Sequence, residues 1–228
     1  MIANSRVDSS AQVSLCSEMS SEAHRLRGTR ATGWFARGLG KLWLRAFGWR
    51  LEGALPPIPK CVLIAAPHTS NWDLPHMLAS AYVLGFRPSW LGKRELFKFP
   101  FGGFMRWLGG VGVDRSRRTS LVQQVADRFA EVDNLFLVIP PSGTRSRAPH
   151  WKSGFYHIAR LAKVPIVCTS LDYGRRVAGV GMMIDASGDI VADMDRIRAF
   201  YASAQGRYPE RMTPVRLPEE DVPSAANG

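Results

Sequence analysis

The sequence predicts an α/β fold, a single layered domain in which helices flank a mostly parallel central sheet. Three short apolar runs are typical of buried strands. They are Cys61–Ala66, Leu135–Ile139 and Val164–Thr169. Between and beyond these runs, apolar residues recur at every third or fourth position, as at Leu121, Val125 and Phe129, which indicates helices with one buried face. Strands that alternate with such helices are typical of layered α/β domains.

The composition fits one folded domain with an excess of positive charge. The 228 residues are 46% hydrophobic and 21% charged, which is ordinary for a globular protein. The formal net charge of +11 favours an anionic partner, which is a nucleic acid, an acidic membrane or a phosphorylated substrate. No zinc-finger or RNA-recognition signature supports a nucleic acid, and no G-x-S-x-G elbow supports a serine hydrolase.

Cysteine spacing and hydropathy bear on the compartment. Cys16, Cys61 and Cys168 form no C-x-x-C pair, which argues against a disulfide framework and against a cysteine zinc site. A reducing compartment is the simplest interpretation. No apolar run approaches the ~20 residues that span a bilayer, and the N-terminus lacks the apolar core of a signal peptide. We therefore expect a peripheral protein on the cytoplasmic face of the cell membrane.

Both ends of the chain are predicted to be loose. Residues 1–30 are polar and rich in serine, which indicates a disordered arm. Residues 214–228 are rich in proline, alanine and acidic residues, which indicates a flexible tail. The folded domain is therefore predicted at residues 31–213.

The segment at about residues 34–51 has the pattern of an amphipathic helix that could associate with a membrane. On a helix, one face would be apolar and would carry Phe35, Leu39, Leu42 and Ala46. The opposite face would be basic and would carry Arg37, Lys41 and Arg45. An apolar stripe with a tryptophan at its edge, backed by basic residues, suits an anionic membrane interface. An ordinary helix packed on the core would show a similar stripe, so both interpretations stay open.

The first predicted strand is followed by His68 and, five residues later, by Asp73. Two residues five apart do not share a helix face, but a histidine on the loop and an aspartate at the start of the next helix can meet. The carboxylate would then fix the imidazole tautomer and leave the other ring nitrogen to accept a proton from an alcohol. The alternative is that Asp73 only caps the helix and His68 only packs in the loop.

A loop suited to an anion follows the second predicted strand. Gly143 allows close backbone approach, Thr144 supplies a hydroxyl, and Arg145 supplies a planar fork that matches phosphate oxygens. Arg94 and Arg115, which lie between the two loops in the sequence, are further candidates for phosphate contacts. The alternative for the loop is a polar, solvated turn. The loop is not a Walker A motif, and the glycines at positions 109, 110 and 112 lack the spacing of a dinucleotide-binding motif.

Four blocks in this order resemble the glycerolipid acyltransferase family, in its lysophosphatidic acid acyltransferase branch. The blocks cover about residues 61–173. His68 and Asp73 match the family's H-x-x-x-x-D block, and GKRELFKFPFGGFMRWLGGVGVDR resembles its second block. PPSGTRSR resembles the F-P-E-G-T-R-S block, and VPIVC resembles the V-P-[IV]-[VI]-P block. One block alone would be weak evidence, but four in register are strong.

The resemblance implies an O-acyltransferase that moves a fatty acyl group to the hydroxyl of a lysophospholipid-like acceptor. The implied donor is acyl-CoA or acyl-carrier protein, with neither a cofactor nor a metal required. His68 is implied as the general base and Asp73 as its orienting partner. The residues that the resemblance assigns to the acceptor's phosphate are Gly143, Thr144, Arg145, Arg115 and Arg94.

Two positions depart from the family pattern. Ser142 stands where the family normally has glutamate, and Cys168 stands where it has the last proline. The change at Cys168 is expected to affect only packing. The change at Ser142 removes a carboxylate from the acceptor site, which makes this residue a candidate for acceptor specificity. The alternative function is a non-catalytic, acyltransferase-like lipid-binding protein that lost activity with the glutamate.

Overall fold

The computed structural model describes residues 32–113 and 118–221. Its helices are α1 (Trp34–Ala46), α2 (Asp73–Leu84), α3 (Gly102–Trp107), α4 (Arg118–Glu131), α5 (Gly154–Ala162) and α6 (Ile190–Tyr201). Its strands are β1 (Arg50–Glu52), β2 (Lys60–Ala66), β3 (Ser89–Lys93), β4 (Gly110–Val113), β5 (Leu135–Ile139), β6 (Ile166–Asp172) and β7 (Val177–Ile184). Short 3-10 helices span Arg94–Phe97, Pro209–Arg211 and Pro218–Asp221. The predicted disordered arm, residues 1–30, lies outside the described residues.

Within these ranges, the strands form one sheet in the order β1-β7-β6-β2-β5-β3-β4. Neighbouring strands are parallel, except that β7 runs antiparallel to β6. The prediction of a layered α/β domain with a mostly parallel sheet is therefore confirmed. Strand β2 lies between β5 and β6, so the carboxyl ends of these three parallel strands meet at one edge of the sheet. In open α/β sheets, ligands bind at this edge.

Both faces of the sheet are covered by helices, which is why its central strands are continuously apolar. Along β2, Val62 and Ile64 belong to the core shared with α4, α5 and α6. Cys61 and Leu63 point to the other face and belong to the core shared with α2 and α3. All four side chains are fully buried. The loops at the carboxyl edge are therefore built on a rigid base.

Helix α1 is shorter than predicted. It ends at Ala46, because Gly48 takes a left-handed backbone conformation (φ +68°) and the chain from Arg50 onward pairs with β7 as strand β1. The predicted end of this helix near residue 51 is therefore wrong. The helix packs on α2 at Gly40, where an added Cβ would come within 2.7 Å of the Ala79 carbonyl oxygen.

The predicted apolar stripe of α1 is exposed. Phe35, Leu39 and Leu42 are each more than half exposed, whereas Gly40 and Leu44 are the buried positions of the helix. Packing of this stripe on the core, which was one of the two interpretations, is therefore wrong. Exposure is what a membrane interface requires, but membrane binding itself stays a prediction. No helix within the described ranges has the length and apolar character to cross a bilayer.

Residues 214–221 are packed, in contrast to the flexible tail that was predicted from residue 214 onward. Leu217 is fully buried, and Arg198 on α6 forms an ion pair with Glu220. Composition did not reveal this packing because both contacts depend on partners elsewhere in the fold. The rest of the predicted tail, residues 222–228, lies outside the part that the structure describes.

Candidate active site

The loop between β2 and α2 brings His68 and Asp73 together. Strand β2 ends at Ala66 and α2 begins at Asp73, so the intervening loop turns the chain back at the edge of the sheet. His68 Nδ1 lies 2.9 Å from Asp73 Oδ2. The predicted arrangement of a loop histidine and a helix-start aspartate is therefore present, whereas its catalytic role stays a prediction.

The Asp73 carboxylate is buried and is held by three further hydrogen bonds. The backbone amides of Thr69 and Ser70 each donate to Oδ2 at 3.0 Å, and the Tyr173 hydroxyl donates to Oδ1 at 2.7 Å. Because a carboxylate only accepts, His68 Nδ1 carries the proton of this contact and Nε2 is left as the acceptor nitrogen. The loop therefore presets both the orientation and the tautomer of the imidazole.

Tyr173 is a site residue that the sequence analysis missed. It directly follows β6 and reaches Asp73 across a separation of 100 residues along the chain. Burial, together with the hydrogen bond to Asp73, raises the pKa of Tyr173, so its hydroxyl stays protonated and donates. The available signal was a tyrosine immediately after a buried strand.

The chain after α6 supports the same loop from outside. The Tyr208 amide donates to Thr69 Oγ1 at 3.2 Å, and an added Cβ at Gly206 would lie 2.9 Å from the Thr69 side chain. The Arg207 guanidinium carbon lies 6.0 Å from the centroid of the Tyr173 ring. The sequence shows no pattern for these contacts, which depend on the path of the chain after α6.

A second histidine, His76 on α2, is buried and packed between aromatic side chains. It is 2% exposed and stacks on Trp49 with ring centroids 4.5 Å apart. The Trp43 indole N–H donates to His76 Nδ1 at 3.2 Å, so that nitrogen carries no proton. Burial lowers the pKa of His76, which keeps the ring neutral as a link between α1 and α2. The side chain of His68, in contrast, is 24% exposed.

The loop after β5 carries Gly143, Thr144 and Arg145, and it adds a residue that was not predicted. Gly143 has a left-handed backbone conformation (φ +64°), and the Lys152 side chain lies against it, 2.8 Å from where a Cβ would stand. Both constraints favour glycine at this position. Lys152 was missed because the sequence shows it only as one basic residue among many, nine positions after Gly143.

Ser142 is buried within this loop. Its hydroxyl donates to the Thr144 carbonyl oxygen at 2.8 Å. It is not among the residues that line the adjacent cavity. The hydroxyl therefore helps to hold the shape of the loop. A role of Ser142 in acceptor specificity stays a prediction.

A cavity of about 760 Å³ joins the two loops. Its polar lining comprises His68, Ser70, Asn71, Asp73, Ser80, Gly143, Thr144, Arg145, Ser146, Lys152, Thr169, Ser170 and Gly179. Much of the remaining wall is apolar and includes Leu63, Leu74, Met77, Ala81, Leu84 and Phe86. One space thus contains the His68–Asp73 pair, two cationic side chains and an apolar wall.

Of the other two predicted phosphate contacts, one does not line this cavity and the other is not among the described residues. Arg94 is exposed at the start of the 3-10 helix Arg94–Phe97 and does not line the cavity, although its neighbours Gly92 and Leu96 do. Arg115 lies outside the described residues. Substrate binding by these two arginines stays a prediction.

Comparisons with known proteins identify the family. An acyltransferase family model matches residues 54–172. A 1-acyl-sn-glycerol-3-phosphate acyltransferase of Haemophilus influenzae is 31% identical over 186 residues, which cover 72% of this chain and 75% of that protein. The enzyme of the same name from Escherichia coli is 30% identical over 136 residues, which cover 54% of each chain. A solved 1-acyl-sn-glycerophosphate acyltransferase from Thermotoga maritima aligns with 87% of this chain and 80% of its own at 18% identity, with a TM-score of 0.48.

The family match contains the structural features described above. Residues 54–172 include strands β2 to β6, the loop with His68 and Asp73, and the loop with Gly143 and Arg145. The resemblance found in the sequence is therefore confirmed. The chain belongs to the acyltransferase family, in the branch of the glycerolipid O-acyltransferases.

Proposed function

We propose that this protein transfers a fatty acyl group from acyl-CoA or acyl-carrier protein to the hydroxyl of a lysophospholipid-like acceptor. The observation that carries the proposal is one cavity that contains the His68–Asp73 pair, the cations Arg145 and Lys152, and an apolar wall. A phosphorylated lysolipid has three matching parts, which are a hydroxyl, a phosphate and an apolar chain. The names of the curated relatives support an acceptor of this class.

Proton transfer through His68 gives a scheme without a covalent enzyme intermediate. The acceptor hydroxyl gives its proton to His68 Nε2 while its oxygen attacks the carbonyl carbon of the thioester. Asp73, bonded to Nδ1 at 2.9 Å, stabilises the imidazolium that forms. The tetrahedral intermediate then expels the thiolate, which takes the proton from Nε2 and leaves as a thiol. An ester forms, a thioester breaks and the histidine returns to its starting state, so no cofactor is needed.

The cations at the cavity are proposed to hold the acceptor's phosphate. Arg145 is exposed, lines the cavity and can form bidentate, charge-assisted hydrogen bonds to phosphate oxygens. Lys152, which lies against Gly143, adds a second positive charge on the same side. The apolar wall accommodates a fatty chain, and the cavity volume falls in the range of ~300–1,000 Å³ that is typical of small-molecule sites.

Peripheral association with the cytoplasmic face of an anionic membrane is part of the proposal. Helix α1 exposes an apolar stripe and carries Arg37, Lys41 and Arg45 on another face. Apolar insertion and attraction to anionic lipids together bind such helices to a membrane surface. The protein should therefore sediment with anionic vesicles more than with neutral ones, and less at high salt. Equal sedimentation with both vesicle types would contradict this proposal.

The acyl-transfer proposal is tested by measuring thiol release from acyl-CoA and from acyl-carrier protein in the presence of a panel of lysolipids. Mass spectrometry then identifies the products. His68→Ala should lower turnover at least ~10²-fold, the smaller loss expected when a general base is removed. His157→Ala is the matched control, because His157 lies on α5 with a side chain that is 45% exposed, and it should retain activity. Near-normal turnover by a folded His68→Ala protein would contradict the mechanism.

A non-catalytic lipid-binding protein is the second candidate, favoured by the serine at position 142 where the family normally has glutamate. The His68–Asp73 pair, which backbone amides hold in place, argues against a binding protein. Binding alone does not require an oriented proton acceptor. Lysolipid binding without thiol release from either acyl donor would decide in favour of the binding protein.

A further inference from the structure

The segment Leu96–Trp107, here called the aromatic segment, exposes large aromatic side chains. Phe99 is 98% exposed, Phe101 67%, Phe104 55% and Trp107 63%. Single exposed apolar residues are common on soluble proteins, but several of them in one short segment mark a surface that binds a partner or a membrane. Within residues 32–113 and 118–221, nothing covers these side chains, so the aromatic segment is a candidate surface for an external partner.

The aromatic segment is anchored on its inner side. Phe97 is buried against Trp90 with ring centroids 5.8 Å apart, and its carbonyl oxygen accepts from Arg106 Nη2 at 3.2 Å. Met105 on α3 packs against the same core. Because this inner side is already filled, the other aromatic side chains stay directed away from the core.

Basic residues lie within and next to the aromatic segment. Residues 93–107 contain four Lys or Arg and one acidic residue. Lys98 is exposed beside Phe99, and the Arg87 guanidinium carbon lies 5.9 Å from the centroid of the Trp107 ring. An aromatic surface with a positive rim complements an anionic bilayer. It suits a symmetric dimer less well, because the same cations would face each other across the interface.

The aromatic segment also borders the active-site cavity. Leu96 is 50% exposed and lines the cavity, and Met105 lines it as well. A side chain that belongs both to the cavity wall and to the outer surface lies at the rim. His68 lines the same cavity, so a lipid that enters past Leu96 reaches the space that contains the proton acceptor.

We propose that the aromatic segment inserts into the interfacial region of an anionic bilayer and sets the rim of the cavity against the membrane. This membrane contact is separate from that of α1. The inference rests on the proposed function only in that the acceptor is a membrane lipid. Phe99 and Phe101 enter the region between headgroups and acyl chains, while Lys98 and Arg87 stay at the headgroups.

The first experiment measures partitioning of the full chain onto vesicles of phosphatidylcholine and phosphatidylglycerol. Half-burial of two phenyl groups corresponds to a roughly tenfold to hundredfold change in partitioning, so Phe99→Ser/Phe101→Ser should bind that much more weakly than wild type. Leu161→Ser/Val191→Ser is the control, because these residues are exposed apolar positions on α5 and α6 (48% and 53% exposed), at the opposite face of the sheet. The control should bind within about twofold of wild type. Equal binding by Phe99→Ser/Phe101→Ser and wild type would overturn the proposal.

The second experiment locates the aromatic segment. Phe99→Cys and Leu161→Cys proteins, each in a Cys16→Ser background, are labelled with an environment-sensitive fluorophore, since Cys61 and Cys168 are buried. Anionic vesicles should shift the emission of the label at position 99 to the blue and leave the label at position 161 unchanged. A label at position 99 that stays in water on vesicles would overturn insertion. A blue shift without lipid, together with self-association seen by sedimentation, would also overturn insertion, because this surface would then join two copies of the chain.

Activity on a soluble, short-chain acceptor separates this inference from the proposed function. Phe99→Ser/Phe101→Ser should match wild type on the soluble acceptor and be slower on an acceptor embedded in vesicles. Loss of activity on both acceptors would show that these residues act within the site and would overturn the inference. If wild type were inactive on every acceptor, the proposed function would fail, and the vesicle and fluorescence results would still decide on insertion.

Discussion

Replacement of Asp73 by asparagine isolates the charge of the His68–Asp73 pair. The side chain keeps its size, and its single oxygen can take the place of Oδ2, which now accepts from Thr69, Ser70 and His68. The new amide nitrogen then faces the Tyr173 hydroxyl, which can rotate and accept a hydrogen bond. The geometry of the loop is therefore retained, while the negative charge is lost.

The size of the effect follows from the distance between the charges. When His68 accepts a proton, its positive charge lies roughly 4 Å from that of the carboxylate, and at an effective dielectric constant of about 20 the attraction is about 4 kcal/mol. Since ~1.36 kcal/mol in the barrier changes a rate tenfold, Asp73→Asn should lower kcat by about 10³-fold. KM should change little, because the cations that are proposed to hold the phosphate lie on and beside another loop.

Steady-state kinetics of thiol release measure this effect, and circular dichroism with thermal unfolding establishes that the variant is folded. Tyr173→Phe is the matched control, since it removes one neutral donor but keeps the charge, and it should lower kcat by about tenfold or less. A folded Asp73→Asn protein with a tenth or more of the wild-type kcat would refute the charge argument. An equal loss in Tyr173→Phe would show that orientation, rather than charge, limits the rate.

Other substitutions test the acceptor loop and the contact between the first two helices. Arg145→Ala should raise KM for an anionic acceptor by roughly tenfold or more through lost charge-assisted hydrogen bonds, and equal effects on a neutral acceptor would contradict the phosphate role. Gly40→Ala should lower the free energy of unfolding in urea by ~1–3 kcal/mol, because its Cβ would meet the Ala79 carbonyl oxygen. Gly38→Ala, which has open space around it, should raise that free energy by ~0.4–1 kcal/mol, and a loss in both variants would implicate the helix rather than the contact.

The sequence predicted the parts of the candidate site that lie on one short segment. His68 and Asp73 are five residues apart, so one loop and one helix start bring them together. Tyr173 reaches the same carboxylate only because β6 is the neighbour of β2 in the sheet. The strand order places β5 and β6 beside β2, with β3 beyond β5, and spacing along the chain does not reveal that order. Tyr173 was therefore missed, whereas Gly143, Thr144 and Arg145 after β5 were predicted from the residue types of their own loop.

The end of α1 was missed because a tertiary contact overrides local periodicity. Apolar residues continue through Phe47 and Trp49, so the helical pattern extends to about residue 51 in the sequence. In the structure, Gly48 turns the chain, and Trp49 is buried against His76 while the next residues pair with β7. The exposed stripe of α1 has the same origin, because close packing at Gly40 selects a different face of the helix for burial.

The burial of Ser142 changes how its departure from the family pattern must act. Its hydroxyl is bonded to the Thr144 carbonyl oxygen, so it can influence an acceptor only through the shape of the loop. Glutamate would bring a larger, charged group into this place, and because an unpaired buried carboxylate is costly, it should move toward a cation such as Arg145 or Lys152.

Both Arg145 and Lys152 line the cavity, so Ser142→Glu should rearrange the proposed phosphate site and leave the position of His68 unchanged. We expect a higher ratio of turnover on lysophosphatidic acid to turnover on other lysolipids, with a change in KM for anionic acceptors and an unaltered kcat on a neutral one. Mass spectrometry of products from mixed acceptors gives the ratio. An unchanged ratio would remove Ser142 from acceptor selection, and a change in kcat at constant KM would place its effect on proton transfer instead.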